Sequence, residues 1–427
     1  MSAYDLIIDA SIIVILSYLY NLIAKRFNIP SVLLLIATGI IINQLVSYFG
    51  IAHINWFPYL EVLGVVGLIM IVLEAALDLE LKKEKLPLIG KSLLIAFVGL
   101  AISTIAAAFI ILLLLPGFDW YSSLVYAMPL SVLSSAIVIP SVSFLSNEKK
   151  EFCIYESTLS DILGIMFFYF LISFAEPISN AEAISGFVYG LIITMLVSVV
   201  AAYGLIYIFQ NVKSQVKTFL LIAILILLYA IGKQFHLSSL IIILFFGLVI
   251  SNSEIFFPGF LKRTLKPESI KALFKDLHIV TGETAFIVRT FFFVIFGITI
   301  ALESLWSIKV ILVSVLILIS IYGIRYLIFQ LFMGKDIFPE VYIAPRGLIT
   351  VLLFFAIPEE LQVASFDNGI LLFVIIATGI VMSWGMIRAS NKSLDSEVME
   401  LLGELKSPEN LEEKDDNNIP PPPLKDN

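Results

Sequence analysis

The sequence predicts an all-α, polytopic membrane protein of about 13 transmembrane helices, built as two inverted repeats of six around a linker helix, with the fifth and twelfth helices broken. Three observations predict it. Hydrophobic residues make up 60% of the chain and charged residues 14%, with a mean hydropathy of +1.03; soluble domains carry about 25% charged residues. The apolar residues gather into segments close to the roughly 20 residues that a helix needs to cross a bilayer. Basic residues alternate in density from one intervening loop to the next, as the positive-inside rule requires.

In order, the apolar segments run over about 6–23, 30–50, 57–77, 91–115, 121–145, 152–174, 184–209, 217–231, 236–251, 283–301, 306–333, 339–357 and 369–388. The first carries Asp9 and has no basic stretch before it, so it reads as a first span rather than a cleavable signal peptide. The second follows Lys25, Arg26 and Pro30. The fifth contains Ser134-Ser135-Ala136-Ile137-Val138-Ile139-Pro140, and the twelfth contains Ala344-Pro345-Arg346-Gly347. Proline removes a backbone donor and glycine loosens a helix, so both segments are expected to break there. Each is fifth in its own half, the arrangement expected of inverted repeats whose broken helices meet at the midplane. A simple proline kink is the alternative. The seventh segment is the linker, leaving repeats of about 6–174 and 217–388. The eighth and ninth segments are the shortest.

With the N-terminus outside, the cytoplasmic loops carry 18 Lys and Arg, and the outer loops carry only Lys233 and Lys309. This predicts an N-out, C-in chain. The loop from about 252 to 282 is basic and is expected to include a short interfacial helix. Two domains follow: a transmembrane domain, 1–390, and an acidic cytosolic tail, 391–427. The tail holds ten of the acids and four lysines, so it carries −6 of the net charge of −8. It contains the run Pro420-Pro421-Pro422-Pro423, and its composition predicts disorder.

Neither region is basic enough for nucleic acid. The single cysteine, Cys153, excludes an internal disulfide. His53, His236 and His278 lack metal-ligand spacing, and the sequence shows no cofactor.

The chemistry concentrates in segment 6. Asp161 lies about nine residues in from the cytoplasm, near the midplane, where a charged side chain costs roughly 2.5–3.5 kcal/mol on insertion scales. At 100° per residue, Ser157, Asp161 and Gly164 share one face, and Glu156 and Ser160 form a neighbouring stripe. Hydroxyl and carboxylate oxygens suit a hard cation, so Asp161, Ser157 and Ser160 are the candidate ion and proton site. Arg325, in segment 11, lies at a depth compatible with Glu156. An ion pair would relieve the burial of both; snorkelling is the alternative for the arginine. Arg346, beside the break in segment 12, could offset converging helix C-termini or bind freed carbonyls, or snorkel. Arg289 has the same ambiguity. Glu74 and Asp78 stand at a cytoplasmic helix end and read as interfacial, with a possible role in an inner funnel.

At this point the chain resembles a family, the cation–proton antiporter superfamily that includes the sodium/proton exchangers, over about residues 6–390. Glu156-Ser157-x-x-Ser160-Asp161 resembles its "E-S-x-x-N-D" core, and Ala344-Pro345-Arg346-Gly347 its "G-x-R-G" stretch. Lys25-Arg26-Phe27-Asn28-Ile29-Pro30 and Leu73-Glu74-Ala75-Ala76-Leu77-Asp78-Leu79 resemble its early blocks. Arg325 matches the basic residue of its eleventh helix. The resemblance implies a dimerisation domain, a moving core domain, and broken helices crossing beside the ion site. It makes Asp161 the ion- and proton-binding carboxylate, Glu156 with Arg325 a structural core pair, and Ser134 and Ser135 residues of the crossing, with Pro345, Arg346 and Gly347 opposite. It also implies a homodimer. Two positions depart from the pattern. Ser160 stands where the family has Asn, or a second Asp in its electrogenic branch. Ala136-Ile137-Val138 replaces Thr-Asp-Pro, which is closer to potassium-linked relatives.

The sequence therefore predicts an antiporter exchanging H⁺ for Na⁺ or K⁺ across a prokaryotic inner (cell) membrane, electroneutral, with Asp161 alternately holding a proton or the transported cation. Desolvation penalises an empty ionised site, so it should not cross unoccupied. A cation channel using the same residues is the alternative; it lacks a pore-loop motif. An intramembrane enzyme would need a histidine or a second midplane acid beside the serines or Asp161, and the sequence supplies neither.

Overall fold

The computed structural model describes residues 3–27, 29–49, 57–79, 81–142, 145–174, 180–210, 217–234, 239–257, 267–299, 302–334 and 336–405. Among them there is no strand. The helices are α1 (Ala3–Phe27), α2 (Ser31–Tyr48), α3 (Phe57–Asp78), α4 (Leu86–Leu114), α5 (Trp120–Ser131), α6 (Ser135–Ser141), α7 (Asn147–Ile172), α8 (Asn180–Phe209), α9 (Lys217–Gln234), α10 (Ser239–Ser251), the single turn α11 (Ser253–Phe256), α12 (Pro267–Thr299), α13 (Ile308–Met333), α14 (Leu348–Phe355) and α15 (Gly369–Leu405). Every apolar segment of the sequence falls on one of these or, in segments 5 and 12, on a broken helix. Among the described residues, nine stretches are each long and apolar enough to cross a membrane alone.

Local chemistry sets several boundaries. Pro30 caps α2, where its missing N–H is no loss. Asp119 caps α5 by accepting the Ser122 N–H at 2.9 Å, and hydrogen bonding from Ser122, its side chain first and its backbone N–H second, holds the carboxyl below the usual carboxylate range.

The helices pack as two groups. One joins α4, α5, α6, α7, α13, α14 and α15; the other joins α1, α2, α3, α8, α9, α10 and α12. The first holds the last three segments of each half, and the second holds the first three of each half with the linker. Between the groups, α3 and α10 touch α6, α7 and α14. Within the second group, α2 and α12 cross so closely that a Cβ on Gly39 would meet the backbone of Val294 and Gly297. The interior is aromatic and aliphatic, with Phe168, Phe246, Phe292 and Phe293 fully buried. Outward faces are apolar too: Ile7, Ile15, Leu113, Val200, Leu227, Ile319 and Leu331 are exposed. A surface of this kind suits lipid rather than water.

Two expectations need revision. The break in segment 5 falls at 132–134, just before Ser135, and Pro140 lies within α6. Proline at that position costs the helix one bond without stopping it. The loop after Asn252 opens with the single turn α11, and the stretch 267–282 is the start of α12. Leu273 and Leu277, four apart, are buried on one face with Ala285 and extend the apolar stripe of the span inward. Finally, α15 runs on to Leu405, so helix persists into the tail past 391. Leu394, Val398, Leu401 and Leu405 keep helical spacing there. Residues 406–427 lie outside the described residues, as do His53, His236 and the polyproline run.

Candidate functional site

Two interrupted helices meet at the centre of the first group. One is α5–α6, interrupted at 132–134. The other is the turn Glu340–Tyr342, an extended stretch through Gly347, then α14. They are joined backbone to backbone: the Ser134 N–H donates to the Pro345 carbonyl at 3.0 Å. The contact needs Gly347, because a Cβ there would come within 2.6 Å of the Ser134 Oγ.

Arg346 fastens the same crossing. It is 3% exposed. Its Nε donates to the Leu130 carbonyl at 2.8 Å and its Nη2 to the Ser131 carbonyl at 3.1 Å. Nη1 donates to the carbonyl of Ala344, two residues earlier in the same chain, at 2.8 Å. Leu130 and Ser131 end α5, and a helix C-terminus presents unpaired carbonyls with a partial negative charge. One guanidinium thus serves carbonyls of both interrupted chains. Its backbone N–H is held by the Thr378 hydroxyl at 3.0 Å.

Asp161 stands against this crossing from α7 and is 2% exposed. Its Oδ2 accepts the Ser135 N–H at 3.1 Å. Its Oδ1 is buried and has no hydrogen-bond partner among the described residues. The Ser160 hydroxyl accepts the Leu133 N–H at 3.1 Å, so consecutive residues of α7 hold the interrupted chain of segment 5 on both sides of Ser134. Gly164 gives α7 room beside Val132, whose side chain a Cβ would strike. Ser157 behaves differently. Its hydroxyl donates back to the Cys153 carbonyl at 2.8 Å and lies 3.2 Å from that of Ile154. Its donor is therefore spent within its own helix.

Glu156 and Arg325 meet face to face. Arg325 Nη1 and Nη2 donate to Glu156 Oε1 and Oε2 at 2.6 and 2.8 Å, with both residues buried. Arg325 Nε and Nη2 also reach the Glu340 carbonyl, and its guanidinium lies 4.2 Å from the Phe329 ring centre. A cavity of about 30 Å³ lies between this pair and the crossing, lined by Glu156, Ser160, Arg325 and Arg346. That exceeds the roughly 10–15 Å³ that a single water needs.

A larger cavity, about 200 Å³, opens between the two groups. Ser17, Asn21, Arg289 and Thr290 of the second group line it opposite Ala136, Pro140 and Ser141 of α6. Glu74 ion-pairs with Arg289 at 3.6 Å, and Asp78 bonds His278 at 2.7 Å. Glu74 and Asp78, expected at a cytoplasmic helix end, thus each have a partner, and Arg289 pairs rather than standing alone.

Two features had escaped it. Glu340, fully buried, is held by Lys149 at 3.1 Å, and Lys149 also bonds Asp336 and the Phe338 carbonyl at 2.8 Å each. No spacing rule links residues so far apart in the chain. The second is the Ala136 carbonyl, bound by Arg289 at 3.0 Å; Pro140, four residues on, was its signal.

Among the described residues no group of three or more His, Cys, Asp or Glu is placed to hold a resident metal. The site offers one unpaired carboxylate oxygen, nearby hydroxyls and bound carbonyls, an arrangement suited to one proton or one small monovalent cation.

Comparison with known proteins agrees with this architecture. The family profile of the transmembrane region of sodium/hydrogen exchangers matches residues 11–388. Two solved structures of the sodium proton antiporter MjNhaP1 from Methanocaldococcus jannaschii share the fold. The one at pH 8 superposes with a TM-score of 0.68 at 19% identity, covering 91% of this chain and 99% of that one. The other, an electron-microscopy structure, gives 0.64 at 18% identity, covering 95% and 100%. Comparison with curated proteins gave no match.

Proposed function

The chain belongs to the sodium/hydrogen exchanger family of transmembrane proteins, and on that premise we propose that it exchanges H⁺ for Na⁺ or K⁺, with Asp161 as the group that both ions share. The observation that carries the reading is the buried, unpartnered Oδ1 of Asp161. An oxygen in that setting is stabilised by taking a proton or by ligating a cation, and an empty carboxylate is penalised by the loss of water. The two ions then compete for one site, and competition couples their movements.

The remaining groups have supporting parts in this proposal. Ser160 and Ser135 fix the interrupted chain against Asp161. The Ser160 oxygen, on the residue before Asp161, is a candidate to replace water around a bare cation. Ser157 adds at most a lone pair. Glu156 is held by both terminal nitrogens of Arg325, which balances its charge within the core. Arg346 neutralises the α5 C-terminus, so the crossing can stay dry. The 200 Å³ cavity is the route by which cytoplasmic ions approach, reaching Ala136, next to the residue that bonds Asp161. Thirteen crossings, a cytoplasmic C-terminus, a cell-membrane location and a homodimer complete the proposal.

The test is exchange in proteoliposomes with an entrapped pH dye, adding Na⁺, K⁺ or Li⁺ in turn. Wild-type protein should move protons against at least one of them, with saturation and counterflow that a channel would not give. Asp161→Asn keeps the shape and cannot ionise, so exchange should vanish while the protein remains folded. Cation-driven proton movement surviving in Asp161→Asn would sink the proposal.

A further inference from the structure

The Ala136 carbonyl is an orphan made by sequence. In α6 it would accept the N–H of residue 140, but residue 140 is proline and has none. A carbonyl at this depth needs a partner. Its partner comes from the other helix group: Arg289 of α12 donates Nη1 to it at 3.0 Å. The same guanidinium holds Glu74 of α3 by Nη2 at 3.6 Å. Arg289 thus divides its donors between a carboxylate of its own group and a carbonyl of the ion-site group. Its location matters further, because Ala136 follows Ser135, whose N–H holds Asp161.

We propose that Arg289 is a positioning residue that ties the first turn of α6, and through Ser135 the Asp161 carboxylate, to the α2–α3–α12 side of the molecule, with Glu74 holding its charge when the tie opens. The proposal rests on the exchange reading above. The principal contacts across the boundary are those of α3 and α10 with α6, α7 and α14, so a charged hydrogen bond across it bears on how the groups sit. The tie is also separable from mere satisfaction of the carbonyl, since a different residue at 140 would satisfy it from within α6.

The experiment compares Arg289→Gln, Pro140→Ala and the double variant for melting in detergent and for exchange in proteoliposomes. Arg289→Gln orphans the carbonyl and should melt earlier. In the double variant the new N–H at 140 takes the carbonyl, and stability should return. Exchange should not return with it: the apparent KM for the cation should remain shifted by about tenfold, the scale of one lost charged hydrogen bond. Pro140→Ala alone should show part of the same shift, because its N–H competes with Arg289; this variant carries the test if Arg289→Gln does not fold. A double variant that exchanges like wild type, or a Pro140→Ala protein with an unshifted KM, overturns the proposal, because Arg289 would then only satisfy a carbonyl. Asp161→Asn is run alongside. Exchange surviving in that variant defeats the exchange reading itself, whatever the Arg289 variants do.

Discussion

Arg325 closes on Glu156 through both terminal nitrogens, at 2.6 and 2.8 Å, and its remaining donors go to the Glu340 carbonyl. The pair locks α13 to α7 and both to the chain entering the second interruption. Removing one partner leaves a buried charge alone, which costs about 3–5 kcal/mol. Glu156→Gln and Arg325→Gln should therefore each lower the melting temperature sharply. The double variant should lose less than the sum of the two. Additive losses in that double-mutant cycle would show that the two side chains do not depend on each other.

Arg346 should resist conservative replacement. Its planar fork reaches three carbonyls, from Leu130, Ser131 and Ala344, and lysine offers a single point of donation. Each carbonyl left unpaired costs about 1–3 kcal/mol. Arg346→Lys should melt below wild type, and Arg346→Gln lower still because the α5 C-terminus also loses its counter-charge. Equal melting of the three proteins would show that the carbonyls find other partners.

Gly347 and Ser134 form a size-matched contact. Gly347→Ala would press a methyl group on the Ser134 side chain, and overpacking of this kind costs about 1–3 kcal/mol. The variant should lose stability and exchange together. Adding Ser134→Gly to it should restore both in part, since the obstructing side chain is gone. If the added change worsens the loss, the Ser134 hydroxyl has a role of its own that outweighs the steric one.

Exchange should be electroneutral, with one proton for each monovalent cation. The argument is a count of charge. Asp161 supplies one titratable carboxylate, Ser160 occupies the position of a second acid in electrogenic relatives, and Glu156 is compensated by Arg325. The measurement is net proton movement under a valinomycin-clamped potential with equal cation and proton gradients on both sides. A potential that drives protons under those conditions means a second titrating group, with Glu156 the first to test.

Several of these relationships were legible in the sequence for physical reasons. A buried charge in an apolar run is expensive, so Asp161, Arg325 and Arg346 announced themselves by type and depth. Depth alone also suggested the Glu156–Arg325 pairing, because two opposite charges at one level of a bilayer relieve each other. The interruption of segment 12 was legible from Pro345 and Gly347, which act locally. The interruption of segment 5 was misplaced because Val132-Leu133-Ser134 contains no breaker. Those residues leave the helix because Ser160, Arg346 and the Pro345 carbonyl, all distant in the chain, take up the backbone groups there.

The sequence by itself determined the all-helical membrane architecture, the order of its segments and the buried charges Glu156, Asp161, Arg325 and Arg346. These depend on composition and on helical period, which any stretch of some twenty residues carries within itself. Only the tertiary structure decided which partner each polar group found. It turned the Ser157 hydroxyl back on its own helix, left one oxygen of Asp161 unpaired, and sent Arg289 to the carbonyl that Pro140 had orphaned. Hydrogen bonds reach only about 3 Å and demand alignment, so they are settled by how distant helices cross.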